Sequence, residues 1–163
     1  MTEREIYRES FGLDKEFETE LFKAPIKTLK IRGETVSQLF LLPCNIVKNG
    51  KPYKSQYIYA VSTKKDSRKK GYMEQLLKDT LSHTSDILIL RPATEDLIKY
   101  YKKFGFKEFS ATDGENPELF IEPLGIFECL SRLEGKTKEG NFTLMAQNSP
   151  LDLWGLSFPY TMP

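Results

Sequence analysis

The chain has 163 residues, which is enough for one domain with a substantial hydrophobic core. Its 24 basic and 23 acidic residues leave a net charge of +1, so composition gives no overall attraction to nucleic acid or to a membrane surface. Two cysteines and one histidine are too few for a disulfide framework and argue against a metal site. The charged N-terminus and the absence of a long apolar run argue against a signal peptide or a spanning helix, so we expect a cytoplasmic protein.

The N-terminal third predicts two helices followed by a hairpin. The helices cover Glu3–Ser10 and Asp14–Phe22, with Asp14 as a candidate N-cap of the second. Asn49–Gly50 is a turn signal between two apolar runs and predicts that Val36–Val47 pairs antiparallel with Pro52–Thr63. A shorter strand is predicted over Thr28–Arg32.

The middle of the chain predicts a strand, a basic loop, a helix, a strand and a second helix. Apolar residues at helical spacing indicate a helix over Tyr72–His83, and the continuous apolar run Ile87–Leu90 indicates a strand covered on both faces. The next helix starts at Thr94, with acidic residues in its first turn and lysines in its last.

The basic loop is a candidate anion site. Arg68, Lys69 and Lys70 precede Gly71, which has no side chain to keep a ligand from the N–H groups at the start of the following helix. A strand, a basic loop, a glycine and a helix together suit a pyrophosphate. The alternative is a solvated basic turn, and that would be the better reading if this motif stood alone.

Two motifs in this stretch resemble a known family. Arg68-Lys69-Lys70-Gly71-Tyr72-Met73 is similar to the pattern Q/R-x-x-G-x-G/A, the acyl-CoA pyrophosphate loop of the GNAT N-acetyltransferase superfamily. Tyr101-Lys102-Lys103-Phe104-Gly105-Phe106 resembles the Y-x-K-x-G-F signature of its following helix, in the expected order and with a strand between the two. The sequence departs from the family at Met73, where glycine or alanine is usual, and at Arg91-Pro92-Ala93, where many members carry an asparagine.

The resemblance implies an α/β fold of the GNAT acyl-CoA N-acyltransferase type, with a mixed central sheet that contains a splayed strand pair and is flanked by helices. Residues 1–163 would form a single domain, with the core motifs in 35–109 and a C-terminal extension, 119–163, packed on it. Acyl-CoA would enter between the splayed strands and bind at nine positions: Val61, Ser62, Thr63, Arg68, Lys69, Lys70, Gly71, Tyr72 and Met73.

The implied activity is transfer of an acetyl group from acetyl-CoA, a co-substrate, to a primary amine by direct attack. Tyr101 matches the family tyrosine that protonates the departing thiolate, and its other reading is a helix tyrosine packed in the core. The acceptor would be a small-molecule or peptide amine. We expect no metal, no nucleic-acid or membrane partner, and a monomer or homodimer.

No residue can be assigned as the general base from the sequence. Glu34, Glu108, Glu122 and the C-terminal carboxylate of Pro163 are conceivable, as is a water chain, but surface carboxylates are more often merely solvated. This gap leaves open an alternative function, a non-catalytic GNAT fold that binds acyl-CoA as a sensor or scaffold.

The C-terminal third predicts a loop over 111–117, a helix opened by Pro123, and a strand over Phe142–Met145. The tail from Leu151 onward is rich in aromatic residues, namely Trp154, Phe158 and Tyr160. We expect them to pack on the sheet, to line the acceptor pocket or to join a dimer contact, with core packing as the default. The two cysteines, Cys44 and Cys129, lie among apolar neighbours in the sequence and are expected to be buried thiols in a reducing compartment.

Overall fold

The computed structural model describes residues 1–135 and 139–158. The helices and strands of this part of the chain are α1 (Glu3–Phe11), α2 (Lys15–Leu21), β1 (Ile26–Ile31), β2 (Glu34–Lys48), β3 (Lys51–Thr63), α3 (Tyr72–Ser82), β4 (Ile87–Leu90), α4 (Glu95–Lys102), β5 (Lys107–Thr112), β6 (Leu119–Pro123), α5 (Gly125–Glu134), β7 (Asn141–Gln147) and β8 (Leu156–Ser157). These elements form a mixed α/β fold, and their order confirms the two N-terminal helices, the hairpin and the strand–helix alternation predicted from the sequence.

The chain divides into two compact units. The first consists of residues 1–41 and 58–85, and the second of residues 42–57 together with the described residues from Asp86 onward. The long strands β2 and β3, joined by the turn at Asn49 and Gly50, each contribute one part to both units.

The first unit is built from α1, α2, β1, α3 and parts of β2 and β3. β1 pairs antiparallel with β2 from Ile26 opposite Phe40 to Ile31 opposite Glu34, with an irregularity between Leu29 and Lys30. As predicted, the Asp14 side chain caps α2, since its Oδ1 accepts the N–H of Phe17 at 3.1 Å.

A buried carboxylate fastens α1 to α2. Glu18 is 2% exposed, and its two oxygens accept bonds from Arg8 at 2.7 and 2.8 Å and from Arg4 at 3.2 Å. The bonds from Arg8 hold the pKa of Glu18 below its ordinary value. Because a buried charge is costly unless it is paired, this three-residue cluster fixes how the two helices lie against each other.

The second unit contains a mixed sheet with both parallel and antiparallel strand pairs. β3 pairs parallel with β4 over Ser55–Tyr57, and β4 then pairs antiparallel with β7. The remaining strands follow in the order β7, β5, β8 and β6, and β6 pairs antiparallel with the second part of β2. β3 pairs with the four-residue strand β4 only over Ser55–Tyr57, although β3 itself runs on to Thr63.

Three expectations about the C-terminal third need correction. Pro123 is the last residue of β6 and does not open a helix, because α5 begins at Gly125 with Leu124 as its N-cap. Residues Ala111 and Thr112, assigned from the sequence to a loop, belong to β5. Cys44 is buried as expected, and burial raises the pKa of its thiol, whereas Cys129 is exposed on α5.

The tail aromatics behave differently from one another. Phe158 is fully buried against Phe127, with ring centroids 5.6 Å apart, whereas Trp154 is 69% exposed. Core packing is therefore confirmed for Phe158 and wrong for Trp154, and Tyr160 lies outside the described residues. Within the described part of the chain, no helix combines the length and the apolar character needed to cross a membrane.

Candidate functional site

The loop between β3 and α3 leaves the start of α3 open. Gly71 is the N-cap residue of α3 and has a φ of 77°, a left-handed conformation that glycine adopts without strain. It provides no capping side chain, and a Cβ placed on Gly71 would meet no atom within 4 Å. The start of α3 therefore has open space beside Gly71 and no side chain bound to its N–H groups at the cap, which is the arrangement that an anion needs.

The loop is held in place by its own hydrogen bonds. The N–H of Lys65 donates to the Glu9 carboxylate of α1 at 2.7 Å, and the N–H of Lys64 donates to the carbonyl of Val36 at 2.8 Å. Arg68 turns back so that its Nε donates to the carbonyl of Thr63 at 3.1 Å. These bonds join the loop to β2, to β3 and to α1.

Carboxylates of the described residues neutralise Lys64 at the start of the loop but not the three cations at its end. Lys64 lies 3.5 Å from Glu34 and 3.7 Å from Asp66, and so is shared between two carboxylates. Arg68, Lys69 and Lys70 are exposed, and none of them forms an ion pair with a carboxylate in the described part of the chain. Three unpaired cations next to an uncapped helix start create a positive site for a polyanionic ligand.

The strand that leads into this loop contains a feature that the sequence did not indicate. Ala60 has a φ of 55°, although it lies within β3 and is not glycine. A left-handed residue in a strand marks a local irregularity that redirects the following residues, here Val61, Ser62 and Thr63. Such positions recur at functional sites, so Ala60 is a candidate for setting the direction of the last residues of β3, which are predicted to bind acyl-CoA.

The three strand residues that are predicted to bind acyl-CoA follow Ala60 directly. Val61 and Thr63 are half-buried, and the Thr63 hydroxyl lies 2.8 Å from that of Ser37 on β2. Ser62 is buried, and its hydroxyl oxygen has no hydrogen-bond partner among the described residues. The structure thus brings Val61, Ser62 and Thr63 together with the loop in the first unit, joined by the bond from Arg68.

Tyr101 lies in the second unit, near the end of α4. It is 5% exposed and packs edge-on against Tyr100 and Phe106, with ring centroids 5.5 and 5.9 Å away. Burial, and next the neighbouring Tyr100, raises the pKa of Tyr101 to about 12. Its phenol is therefore protonated near neutral pH and carries a proton that it could donate.

None of the conceivable bases stands out in the structure. Glu34 pairs with Lys64, Glu108 pairs with Lys102 at 2.7 Å, and Glu122 accepts a bond from Asn45 at 3.1 Å. The C-terminal carboxylate lies outside the described residues. Across residues 1–135 and 139–158, no group of three or more histidines, cysteines and carboxylates could hold a metal ion.

Comparison with known families identifies the chain. It matches the family model described as "Acetyltransferase (GNAT) domain" over residues 5–109, which include β2 to α4. The chain belongs to the GNAT acetyltransferase family. No curated protein sequence matches it.

Solved structures show the GNAT fold at low sequence identity. A GCN5-related N-acetyltransferase from Anabaena variabilis ATCC 29413 is 23% identical, with a TM-score of 0.56 over 65% of this chain and 29% of that one. A GNAT family acetyltransferase from Elizabethkingia anophelis with acetyl-CoA bound is 14% identical, with a TM-score of 0.55 over 90% and 88%. The ribosomal-protein-S18-alanine N-acetyltransferase from Escherichia coli is 14% identical, with a TM-score of 0.53 over 98% and 86%.

The chain spans less than a third of the length of the Anabaena protein but most of the length of the other two proteins. At such identities the likeness concerns the fold. The roles of individual residues in this GNAT protein must therefore be argued from its own loop, strand and tyrosine.

Proposed function

We propose that this GNAT protein is an N-acetyltransferase that transfers an acetyl group from acetyl-CoA to a primary amine. The observation that carries the proposal is the open start of α3 at Gly71, flanked by the unpaired cations Arg68, Lys69 and Lys70. The pyrophosphate of CoA carries the charge and the acceptor oxygens that such a helix start binds. The Elizabethkingia structure, which contains acetyl-CoA, supports this choice of donor.

The donor would lie along the strand as well as in the loop. The pantetheine arm carries amide groups that can pair with backbone groups of Val61, Ser62 and Thr63, the residues that follow the left-handed Ala60. The side chains of Tyr72 and Met73, both half-buried at the start of α3, would adjoin the phosphates. No metal is needed, because the N–H groups and the cations supply the positive charge.

The chemistry proposed here is direct attack by the amine on the thioester carbonyl. The carbon–sulfur bond of the tetrahedral intermediate breaks, and the thiolate takes a proton as it leaves. Tyr101 is the proposed proton donor because its phenol remains protonated near neutral pH, with a pKa of about 12. No hydrogen bond to its hydroxyl is found among the described residues, which leaves that proton available.

The acceptor class can be narrowed by the comparison. The Escherichia coli neighbour is described as acting on an alanine of ribosomal protein S18, and an Arabidopsis thaliana neighbour, 14% identical with a TM-score of 0.52, was solved with a bisubstrate analogue that joins CoA to a short peptide. Peptide N-terminal amines are therefore the first acceptors to test, followed by polyamines, aminoglycosides and free amino acids. We also propose that the protein acts in the cytoplasm on a small-molecule or peptide amine. In this proposal the protein itself is a monomer or a homodimer.

The decisive experiment has two stages. Calorimetric titration with acetyl-CoA should give micromolar binding, on the order of 8 kcal/mol. Release of free CoA is then followed with each class of amine, and acceleration by at least one class establishes the enzyme. Absence of binding by the purified protein, checked to be free of co-purified ligand, would refute the donor assignment.

A non-catalytic acyl-CoA sensor is the second candidate, and one observation favours it. The three glutamates considered as general bases are already bound to other side chains: Glu34, Glu108 and Glu122. A sensor would bind acetyl-CoA with the same affinity and release no CoA with any amine, so the second stage of the experiment separates the two functions.

A further inference from the structure

The second unit contains a cavity that the donor site does not use. It has a volume of about 390 Å³ and lies where β5 begins and β7 ends, lined in part by Gly105. This volume falls in the range of small-molecule sites. Buried apolar side chains contribute part of its lining, among them Phe109, Ala146 and Leu153, and the exposed Trp154 completes one side.

The wall formed by residues after β7 is fixed by hydrogen bonds within it and by one to the residue that precedes β4. Asp152 Oδ1 accepts the N–H of Trp154 at 3.0 Å, and the hydroxyl of Ser149 accepts the N–H of Leu151 at 3.1 Å. Asn148, with a φ of 63°, donates from its side chain to the carbonyl of Asp86 at 3.2 Å. Trp154 is therefore held in the solvent by a defined turn, although a large apolar ring gains free energy by leaving water.

Charges of both signs lie at this cavity. Glu108 is neutralised by Lys102, at 2.7 Å. Lys107 and Asp152 are both exposed, both line the cavity, and neither forms an ion pair with any described residue, including each other. One ammonium and one carboxylate at this partly apolar cavity therefore have no ion-pair partner among the described residues.

We propose that this cavity binds a free amino acid with an apolar side chain. The α-carboxylate of the ligand pairs with Lys107, its α-ammonium pairs with Asp152, and its side chain lies on Phe109 and Leu153 beside the ring of Trp154. A zwitterion with an apolar body is the small molecule that meets all three features at once, since a simple cation or anion would leave one of the two charges unpaired. This binding site is separate from the proposed acyl transfer and does not depend on it.

Trp154 is the only tryptophan of the chain, so its fluorescence reports on this cavity alone. L-leucine, which does not absorb at the excitation wavelength, is titrated into the full-length protein, and a saturable change in emission is expected at millimolar concentrations. N-acetyl-L-leucine, which lacks the ammonium, and L-leucinamide, which lacks the carboxylate, should each bind at least about tenfold more weakly, a loss of ~1.4 kcal/mol.

Two variants test the assigned charges. Lys107→Gln and Asp152→Asn should each weaken leucine binding at least about tenfold, and the asparagine keeps an oxygen that can accept the N–H of Trp154. Lys54→Gln, at an 83% exposed lysine outside the cavity, is the matched control and should bind leucine as the wild type does. Acetyl-CoA affinity should be unchanged in all three.

The proposal is overturned if leucine changes neither the emission nor the heat measured by calorimetry. Equal binding of leucine, N-acetylleucine and leucinamide would also overturn it, because the two charges would then take no part. The same conclusion would follow if Lys107→Gln and Asp152→Asn both bound leucine with wild-type affinity.

Discussion

The two sequence motifs of the family lie in surroundings of opposite character. The loop that ends at Gly71 is exposed, positively charged and open at its backbone, while Tyr101 is 5% exposed among aromatic rings. We thus assign acetyl-CoA binding to groups that already face the solvent. We assign proton transfer to the leaving thiolate to one hydroxyl, and burial has raised the pKa of that hydroxyl. Substitutions in the loop should therefore lower the affinity for acetyl-CoA, and substitution of Tyr101 should lower the rate of acetyl transfer.

The largest effect is expected from Gly71→Trp. The indole would occupy the open space in front of α3 and exclude the pyrophosphate, so acetyl-CoA affinity should fall at least about a thousandfold, or ~4 kcal/mol. Calorimetry measures the affinity, and circular dichroism checks the fold. The matched control is Gly50→Trp in the hairpin turn, where φ is 80° and a Cβ likewise meets no atom within 4 Å.

The control carries the same backbone strain without a ligand site, so it should bind acetyl-CoA normally. If Gly71→Trp bound acetyl-CoA with wild-type affinity, the loop would not be part of the acetyl-CoA site.

The next effect concerns Tyr101→Phe, which removes the proposed acid and leaves the packing. Turnover should fall about a hundredfold, the lower end of what a general acid contributes, while acetyl-CoA affinity changes little. Single-turnover release of CoA gives the rate and calorimetry gives the affinity. Tyr100→Phe, at the adjacent half-buried tyrosine, is the control and should keep most of the activity. If both variants turned over at the wild-type rate, the acid would have to be sought elsewhere.

A third prediction sharpens the contrast in burial. The pKa of Tyr101 is about 12 in the folded protein against 10.0 ordinarily, so the unfolded chain loses this proton first. Its contribution to stability is complete below pH 10 and is lost as the pH rises toward 12. The free energy of unfolding, measured with urea, should fall between pH about 8 and about 11 in both proteins. The fall should be about 1 kcal/mol larger for the wild type than for Tyr101→Phe. Equal losses would mean that Tyr101 titrates as an exposed phenol.

The smallest effect tests what holds the loop in place. Glu9→Ala removes the oxygen that accepts the N–H of Lys65, and Glu9→Gln removes the same charge but keeps an acceptor. Acetyl-CoA affinity should be about fivefold lower in Glu9→Ala than in Glu9→Gln, the worth of one hydrogen bond of about 1 kcal/mol. Equal affinities in calorimetry would show that the loop keeps its shape without α1.

Local sequence patterns predicted the elements around the site well. Helical spacing located α3 and α4, and the asparagine–glycine pair located the β2–β3 turn, because each depends on residues close together in the chain. The left-handed Ala60 could not be predicted, since its conformation is imposed by the strands around it and alanine is not a turn residue. The loop and tyrosine assignments themselves remain predictions.

Burial was the less predictable property. Cys129 has apolar neighbours in the sequence, but successive helix residues point about 100° apart, so chain neighbours need not share its environment. Trp154 and Phe158 lie four residues apart in the same tail, and only Phe158 reaches the core. Such differences depend on which strand the tail joins, here the short β8 beside β5, and no local pattern encodes that pairing.

The contrast between the two thiols also bears on how the proposed acetyl transfer should be assayed. Because Cys44 is buried and Cys129 is exposed, a thiol-specific chromogenic reagent used to count released CoA will also label the protein, at one equivalent per chain. That signal should appear as a substrate-independent burst whose size equals the protein concentration. Replacing Cys129 with serine would remove the background, and the burst itself offers a convenient titration of correctly folded molecules.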